Sequence, residues 1–205
     1  MTKMLYQGHG SYKLTSNDGT VIYIDPALGE GYDALADLIV ITHEHPDHVL
    51  MLGKLKRADG CVELHASDFV AGGEHKAIEA RGVKMSSVLA ENKYHDPSEC
   101  MGVVLEFDGL RFYAAGDTSM TDDMRSGKLA AMNLDYATFP GDGFYNMDIP
   151  EASECAKLVA AKHSIPLHLV PVHDINEAVL FDEGKAAAFE GPGKLVLRPG
   201  EEVEL

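Results

Sequence analysis

The apolar run Leu38-Ile39-Val40-Ile41, followed at once by Thr42-His43-Glu44-His45-Pro46-Asp47-His48, restricts this chain more than any other stretch. Such a run reads as a central strand, and the polar cluster then stands at its exit. Residues two apart on an extended segment share a face, so His43 and His45 can reach one point. Asp47 and His48 come where the chain turns into a helix and can reach a second point nearby. Imidazoles with a carboxylate suit zinc, manganese or iron better than calcium or magnesium, which take mostly oxygen ligands. The competing reading is a row of surface histidines at a helix start.

A chain of 205 residues, 45 % of them apolar, can bury a core of two or three layers and is read as one domain over residues 1–205. With 33 acidic against 17 basic residues, the formal charge of −16 argues against nucleic acid or an anionic membrane as a partner. A small molecule is the expected partner, and no heptad or long apolar edge marks an oligomer interface. The start MTKMLYQGHG lacks a signal-peptide core, and no stretch has the length of a membrane span. Cys61, Cys100 and Cys155 are odd in number and form no CxxC pair, which fits reduced thiols in a cytoplasmic protein. Cys100, five residues beyond His95, is a weak candidate ligand.

Strands dominate the first half. Tyr12 to Thr15 and Val21 to Ile24 flank the turn Asn17-Asp18-Gly19 as a hairpin, and Pro26 ends the second strand. Val49, Leu52 and Leu55 give a helical period up to Asp59-Gly60. Strands are expected at 62–65, 83–88, 101–107, 110–114, 136–139, 167–172 and 194–198. Helices are expected at 74–80, at 120–132, and after Pro150, where a missing N–H costs nothing. The pattern implies sheets covered by helices on their outer faces. The hairpin at 101–114 echoes the one at 12–24 and hints at two similar halves.

Further ligands belong at other strand exits, where polar residues gather on one edge of a sheet. Asp117, in Ala115-Gly116-Asp117-Thr118, follows a strand and can bridge two ions. His173 follows the expected strand 167–172, and His95 lies at a loop edge that can complete the first shell. His9, between two glycines, fits the wall of the site as a group behind the ligands. His65, His75, His163 and His168 read as strand-end, helix-end, solvent-side or core-edge residues outside the site. Tyr12, Asp142, Tyr145, Asn146 and Asp174 are candidate pocket residues.

These motifs resemble the metallo-β-lactamase superfamily: His43-Glu44-His45-Pro46-Asp47-His48 matches its H-x-H-x-D-H, Ala115-Gly116-Asp117-Thr118 its A-G-D-T, and His173 its late strand-end histidine. The likeness is to the small members related to ascorbate-phosphate lactonases, through Gly8-His9, Asp25-Pro26, Pro140-Gly141-Asp142-Gly143 and Leu195-Val196-Leu197-Arg198-Pro199-Gly200-Glu201. The resemblance implies an α/β fold, a four-layer αββα sandwich of two mixed sheets flanked by helices. It implies two divalent metal ions: His43, His45 and His95 on the first, Asp47, His48 and His173 on the second, Asp117 between them. Relatives with a di-iron redox centre carry Glu where His45 stands and need a flavin domain. Relatives that process nucleic acids carry a large inserted domain.

The expected activity is hydrolysis of a small lactone-type ester, anionic by the likeness to the lactonase branch, by a metal-bridging hydroxide, with Asp47 and Asp117 as the catalytic carboxylates. Glu44, on the opposite side of the extended segment, is assigned a structural role, and neither Ser11 nor a cysteine is the nucleophile. A phosphodiesterase and a non-catalytic metal-binding scaffold are the alternatives.

Overall fold

The computed structural model describes residues 1–205. The first sheet is built from β1 (Lys3–Gly8), β2 (Ser11–Thr15), β3 (Val21–Ile24), β4 (Ala36–Ile41) and β5 (Arg57–His65), with α1 (Pro46–Val49) between the last two. After α2 (Ala66–Phe69) come a small ribbon, β6 (Val70–Ala71) with β7 (Glu74–His75), and then β8 (Ala77–Ala80), β9 (Val83–Val88), β10 (Gly102–Phe107) and β11 (Leu110–Ala114). The chain closes with α3 (Asp122–Arg125), β12 (Tyr136–Pro140), α4 (Ile149–Val159), β13 (His163–Leu167), α5 (Glu183–Ala188) and β14 (Glu202–Glu204).

Two six-stranded sheets result, in the orders β14-β1-β2-β3-β4-β5 and β8-β9-β10-β11-β12-β13. Read in these directions, both sheets carry the same pairing: three antiparallel contacts followed by two parallel ones. The halves that the two hairpins hinted at are therefore real at the level of strand pairing.

The inner faces of the sheets meet in one core of 23 buried residues, among them Met4, Tyr6, Leu38 and Val40 from the first sheet and Met85, Val103, Leu105 and Phe112 from the second. Ile39 and Ile41 point the other way, into a small outer cluster of five buried residues closed by Val49 and Leu52. Strand β4 is thus buried on both faces, which is why its sequence shows no polar alternation. A cluster of 16 buried residues fills the space between the outer face of the second sheet and helices α3 and α4, so the helical layer is thick on that side and thin on the first. The mixed-sheet αββα sandwich stands.

Several elements differ from the sequence reading. Residues 74–80 form strands, because Arg81 and Gly82 both adopt positive φ (52° and 77°) and close a two-residue hairpin from β8 to β9. The helix expected at 120–132 is cut to α3 by Gly127 at φ 79°. The helix after the histidine cluster stops at Val49, and β5 begins at Arg57, running through Asp59-Gly60. The last strand is β14, on the edge beside β1; the segment 194–198 adds only Leu197 to the inner core, with Leu195 packed against it. Most important for function, β13 spans His163–Leu167 and ends five residues before the expected strand end at Val172. Pro166 sits inside it, which an edge strand tolerates.

No helix is long and apolar enough to cross a membrane.

Candidate metal centre

Strand ends converge on one edge of the sandwich. Strand β4 delivers His43 and His45, and α1, started by Pro46, turns the chain so that Asp47 and His48 face back toward them. The loop between β9 and β10 delivers His95, the exit of β11 delivers Asp117, and the exit of β13 delivers His168. The ligating atoms of His43, His45 and His95 lie within 4.8 Å of one another, as do those of His9, Asp47, His48 and His168.

Asp117 stands between the two groups. Its Oδ1 lies 3.3 Å from His48 Nε2 and 3.4 Å from His168 Nε2, while its Oδ2 lies 4.0 Å from His43 Nε2 and 3.8 Å from His95 Nε2. The imidazoles of His168 and His48 hold its carboxyl well below the usual range despite burial, which pushes the other way.

The other expected residues divide. The structure does not bring His173 into the cluster: its ring is exposed, with Nδ1 2.9 Å from the Tyr145 hydroxyl. His168, which the sequence reading left outside, takes the position at the end of the strand, and the shortened β13 is the reason. His9 adopts positive φ (55°), packs with its ring centre 3.6 Å from that of His168 at a 41° tilt, and places Nε2 3.1 Å from Asp47 Oδ2. Burial pushes its pKa down to about 4, so it is a neutral ring buttressing Asp47. Glu44 turns outward to pair with His65. The Cys100 sulfur donates to the carbonyls of Ala90 and Asp96. The Ser11 hydroxyl donates to the Asp25 carbonyl and accepts from the Ala27 and Leu28 amides, a loop-holding role. Of the candidate pocket residues, Tyr12 is in the inner core, and Asp174 is exposed, capping a turn at Asn176.

Behind the candidate ligands stand four residues, of which the sequence reading assigned only Asp142 to the site, as a pocket residue. Asp25 Oδ2 lies 3.0 Å from His48 Nδ1 and accepts from Thr42 Oγ1 at 2.7 Å; Thr42 Oγ1 in turn faces His43 Nδ1 at 3.1 Å. Since the Thr42 proton goes to Asp25, Thr42 accepts from His43 Nδ1–H, which leaves a lone pair on His43 Nε2. Burial drives His43 well below its ordinary pKa and keeps it neutral. On the other side, Asn92 Oδ1 lies 2.7 Å from His95 Nδ1, and Asp142 Oδ2 lies 3.3 Å from His168 Nδ1. Ligating histidines characteristically give their second nitrogen to such a carboxylate or carbonyl. Asp25-Pro26 offered a signal in the sequence; Asn92 offered none.

The donor set fits divalent metal. His43 Nε2, His48 Nε2, His168 Nε2 and Asp117 Oδ1 are all buried without a hydrogen-bond partner. Buried polar atoms in native proteins are almost always satisfied, and four orphans converging on one space call for a common partner. Nitrogen and carboxylate donors in this mix favour zinc, manganese or iron.

Two cavities open onto the centre. One, of about 280 Å³, is lined by His45, Asp47, His95, Asp117, Tyr145 and Val172, among others. The second, of about 380 Å³, lies beyond His43, His45 and His95 and carries Glu44, Asp96 and Glu99. Tyr94 lines both.

Comparison with known proteins identifies the family. The family model of the Beta-lactamase superfamily domain matches residues 3–168, a range that ends on His168. A UPF0173 metal-dependent hydrolase of Thermus thermophilus is 31 % identical over 232 aligned residues, covering 100 % of both chains. One of Pyrococcus furiosus is 27 % identical over 230, again with 100 % of each covered. Among solved structures, a metallo hydrolase from Ignicoccus hospitalis superposes with a TM-score of 0.72 at 21 % identity, over 98 % of this chain and 97 % of that one. The chain is a member of the metallo-β-lactamase superfamily, in the group of UPF0173 metal-dependent hydrolases.

Proposed function

We propose that the protein binds two divalent metal ions, zinc in preference to manganese or iron, and hydrolyses a small, uncharged ester of the lactone type. The first ion is held by His43, His45 and His95, the second by Asp47, His48 and His168, with Asp117 between them. The carrying observation is the Asp117 carboxylate, one oxygen turned to each group of imidazoles. When bound, a pair of such ions would supply Lewis acidity that activates water at neutral pH and polarises a carbonyl.

The chain's own residues do the rest. Asp47 borders the smaller cavity, and its hydrogen bond to His9 fixes the carboxylate that can carry a proton toward the leaving oxygen. Tyr145 lines the same cavity, with its hydroxyl 2.9 Å from His173 Nδ1. Tyr94, Phe144 and Tyr145 pack on one another at the rim, with ring centres 4.7 to 6.2 Å apart, a wall suited to an apolar portion of substrate.

The cavity linings favour a neutral ester over a phosphodiester. Neither lining includes a lysine or arginine, and the larger one carries three carboxylates. Lys93 is drawn over the Tyr94 and Phe144 rings, 4.7 and 5.5 Å from their centres. A lactone closer to ascorbate phosphate in charge would meet no lysine or arginine in these cavities.

The test is metal analysis of untagged protein by inductively coupled plasma mass spectrometry, followed by assays with neutral lactones and bis(p-nitrophenyl) phosphate. About two equivalents of metal and lactone turnover are expected. Phosphodiester turnover alone would replace the lactone reading, and absence of metal after reconstitution would leave a non-catalytic scaffold.

A further inference from the structure

A relay of hydrogen-bonded side chains runs from His95 to Asp142, whose carboxylate stands 3.3 Å from His168 Nδ1 in the other group of candidate ligands without a formed hydrogen bond. Asn92 Oδ1 accepts from the Tyr94 amide at 2.8 Å, which identifies it as the oxygen; it therefore accepts from His95 Nδ1–H as well. Asn92 Nδ2 donates to Asn146 Oδ1 at 2.9 Å, and Asn146 Nδ2 donates to Asp142 Oδ2 at 2.8 Å. A carboxylate only accepts, so the Asn146 amide has one possible orientation. Asp142 Oδ2 then faces His168 Nδ1. Asp142 Oδ1 accepts the Phe144 and Tyr145 amides, both at 2.7 Å, and so pins the loop that carries the aromatic rim.

Asn92 and Asn146 touch no reacting group, yet each imidazole at the ends of the relay depends on them. An unanchored imidazole can present either nitrogen; with Nδ1–H committed to Asn92, His95 presents only Nε2. Asn146 is buried, 8 % exposed, so its four polar valences have no water to fall back on and its orientation is imposed on both neighbours.

From this geometry, and resting on the two-ion reading above, we propose that Asn92 and Asn146 are positioning residues that couple the two metal sites, by fixing the tautomer of His95 and tying it to the carboxylate that orients His168. Loss of a partner one step behind a ligand characteristically lowers metal affinity by about 10- to 100-fold. The distinctive expectation is that a change at Asn146, in contact with neither imidazole, is felt at both.

The experiment uses the full chain with Asn146→Asp, Asn92→Asp and Asn92→Ala. The metal-free proteins are read by ¹H–¹⁵N correlation of the imidazole nitrogens, and the same proteins are titrated with cobalt(II) followed by its d–d absorption. In the parent protein His95 should show the Nδ1–H tautomer. Asn146→Asp replaces the donor facing Asp142 with a second carboxylate, and should weaken both cobalt steps about 10- to 100-fold and mix the His95 tautomers. Asn92→Asp keeps the acceptor for His95 and should retain the tautomer, whereas Asn92→Ala should lose it. Asn92 is only half-buried, so this pair carries the test if Asn146→Asp does not fold.

Unchanged tautomers and cobalt affinities in the variants, with no more than a lower Tm, would overturn the coupling. So would an effect of Asn146→Asp confined to one cobalt step with the His95 tautomer intact. A parent protein that takes up no cobalt would instead defeat the two-ion reading, while the tautomer measurement, made without metal, would still decide whether the relay fixes His95.

Discussion

His48 Nδ1 lies 3.0 Å from Asp25 Oδ2, and the same carboxylate oxygen takes the Thr42 proton, so one buried aspartate stands behind a ligand from each group. Asp25 itself adopts positive φ (46°), a conformation non-glycine residues rarely accept, and its oxygens are fully used. Asp25→Ala should lower metal affinity by about 10- to 100-fold, with Asn less damaging because it keeps an acceptor. Chelator competition measures the loss; parent-like affinity in the alanine variant would refute the buttressing role.

His168 and His173 give the sharpest contrast. His168→Ala should lose about one metal equivalent and most activity, whereas His173→Ala should keep its metal and alter at most substrate affinity through Tyr145. Metal analysis of both variants decides between them, and the reverse result would move the second site to the exposed histidine.

Asp117→Asn removes one of the oxygens that face the two groups. Turnover should fall by at least about 100-fold, in line with removal of a group that stabilises the transition state, and metal occupancy should drop. Unimpaired turnover would end its bridging assignment.

Gly10 is required by space. A Cβ there would lie 2.7 Å from His48 Cε1, on a ring held by Asp25 and facing Asp117. Gly10→Ala should cost about 1–3 kcal/mol of stability and displace His48 from the proposed metal site. Thermal unfolding with and without metal reads both effects, and a variant with normal metal content would show that the ring can yield.

Burial pushes the thiols of Cys100 and Cys155 up to about 12, and a thiol with a raised pKa holds almost no thiolate at pH 8. Both should resist Ellman's reagent in the native protein, and the less buried Cys61 should react first. Raising the pH toward 12 increases the thiolate fraction, so reactivity should climb with pH. Rapid labelling of Cys100 at pH 8 would contradict its sealed environment.

How much of this was legible in the residues depends on range. The clustering of His43 through His48, carried by one short stretch, could be read directly, because strand geometry and a helix start fix the side-chain directions within a few residues. The second half failed where a local signal was ambiguous. Pro166 looks like a barrier to a strand, yet on an edge it is tolerated; that shift of five residues exchanged His173 for His168. Arg81-Gly82 closes a hairpin as Asp108-Gly109 does, with both residues at positive φ, but arginine in first place hides the turn. Asn92 and Asn146 were beyond reach altogether as a pair: their contact spans 54 positions and exists only once the sheets have docked.

The matched pairing order of the two sheets has a mechanical consequence. Ligands leave the first sheet at His43 and His45 and the second at Asp117 and His168, so the proposed ions would rivet one sheet to the other at a single edge. Neither half alone holds enough ligands to keep both ions. Prising the sheets apart would first require those rivets to come out, and loaded protein should unfold more slowly than protein stripped by chelation.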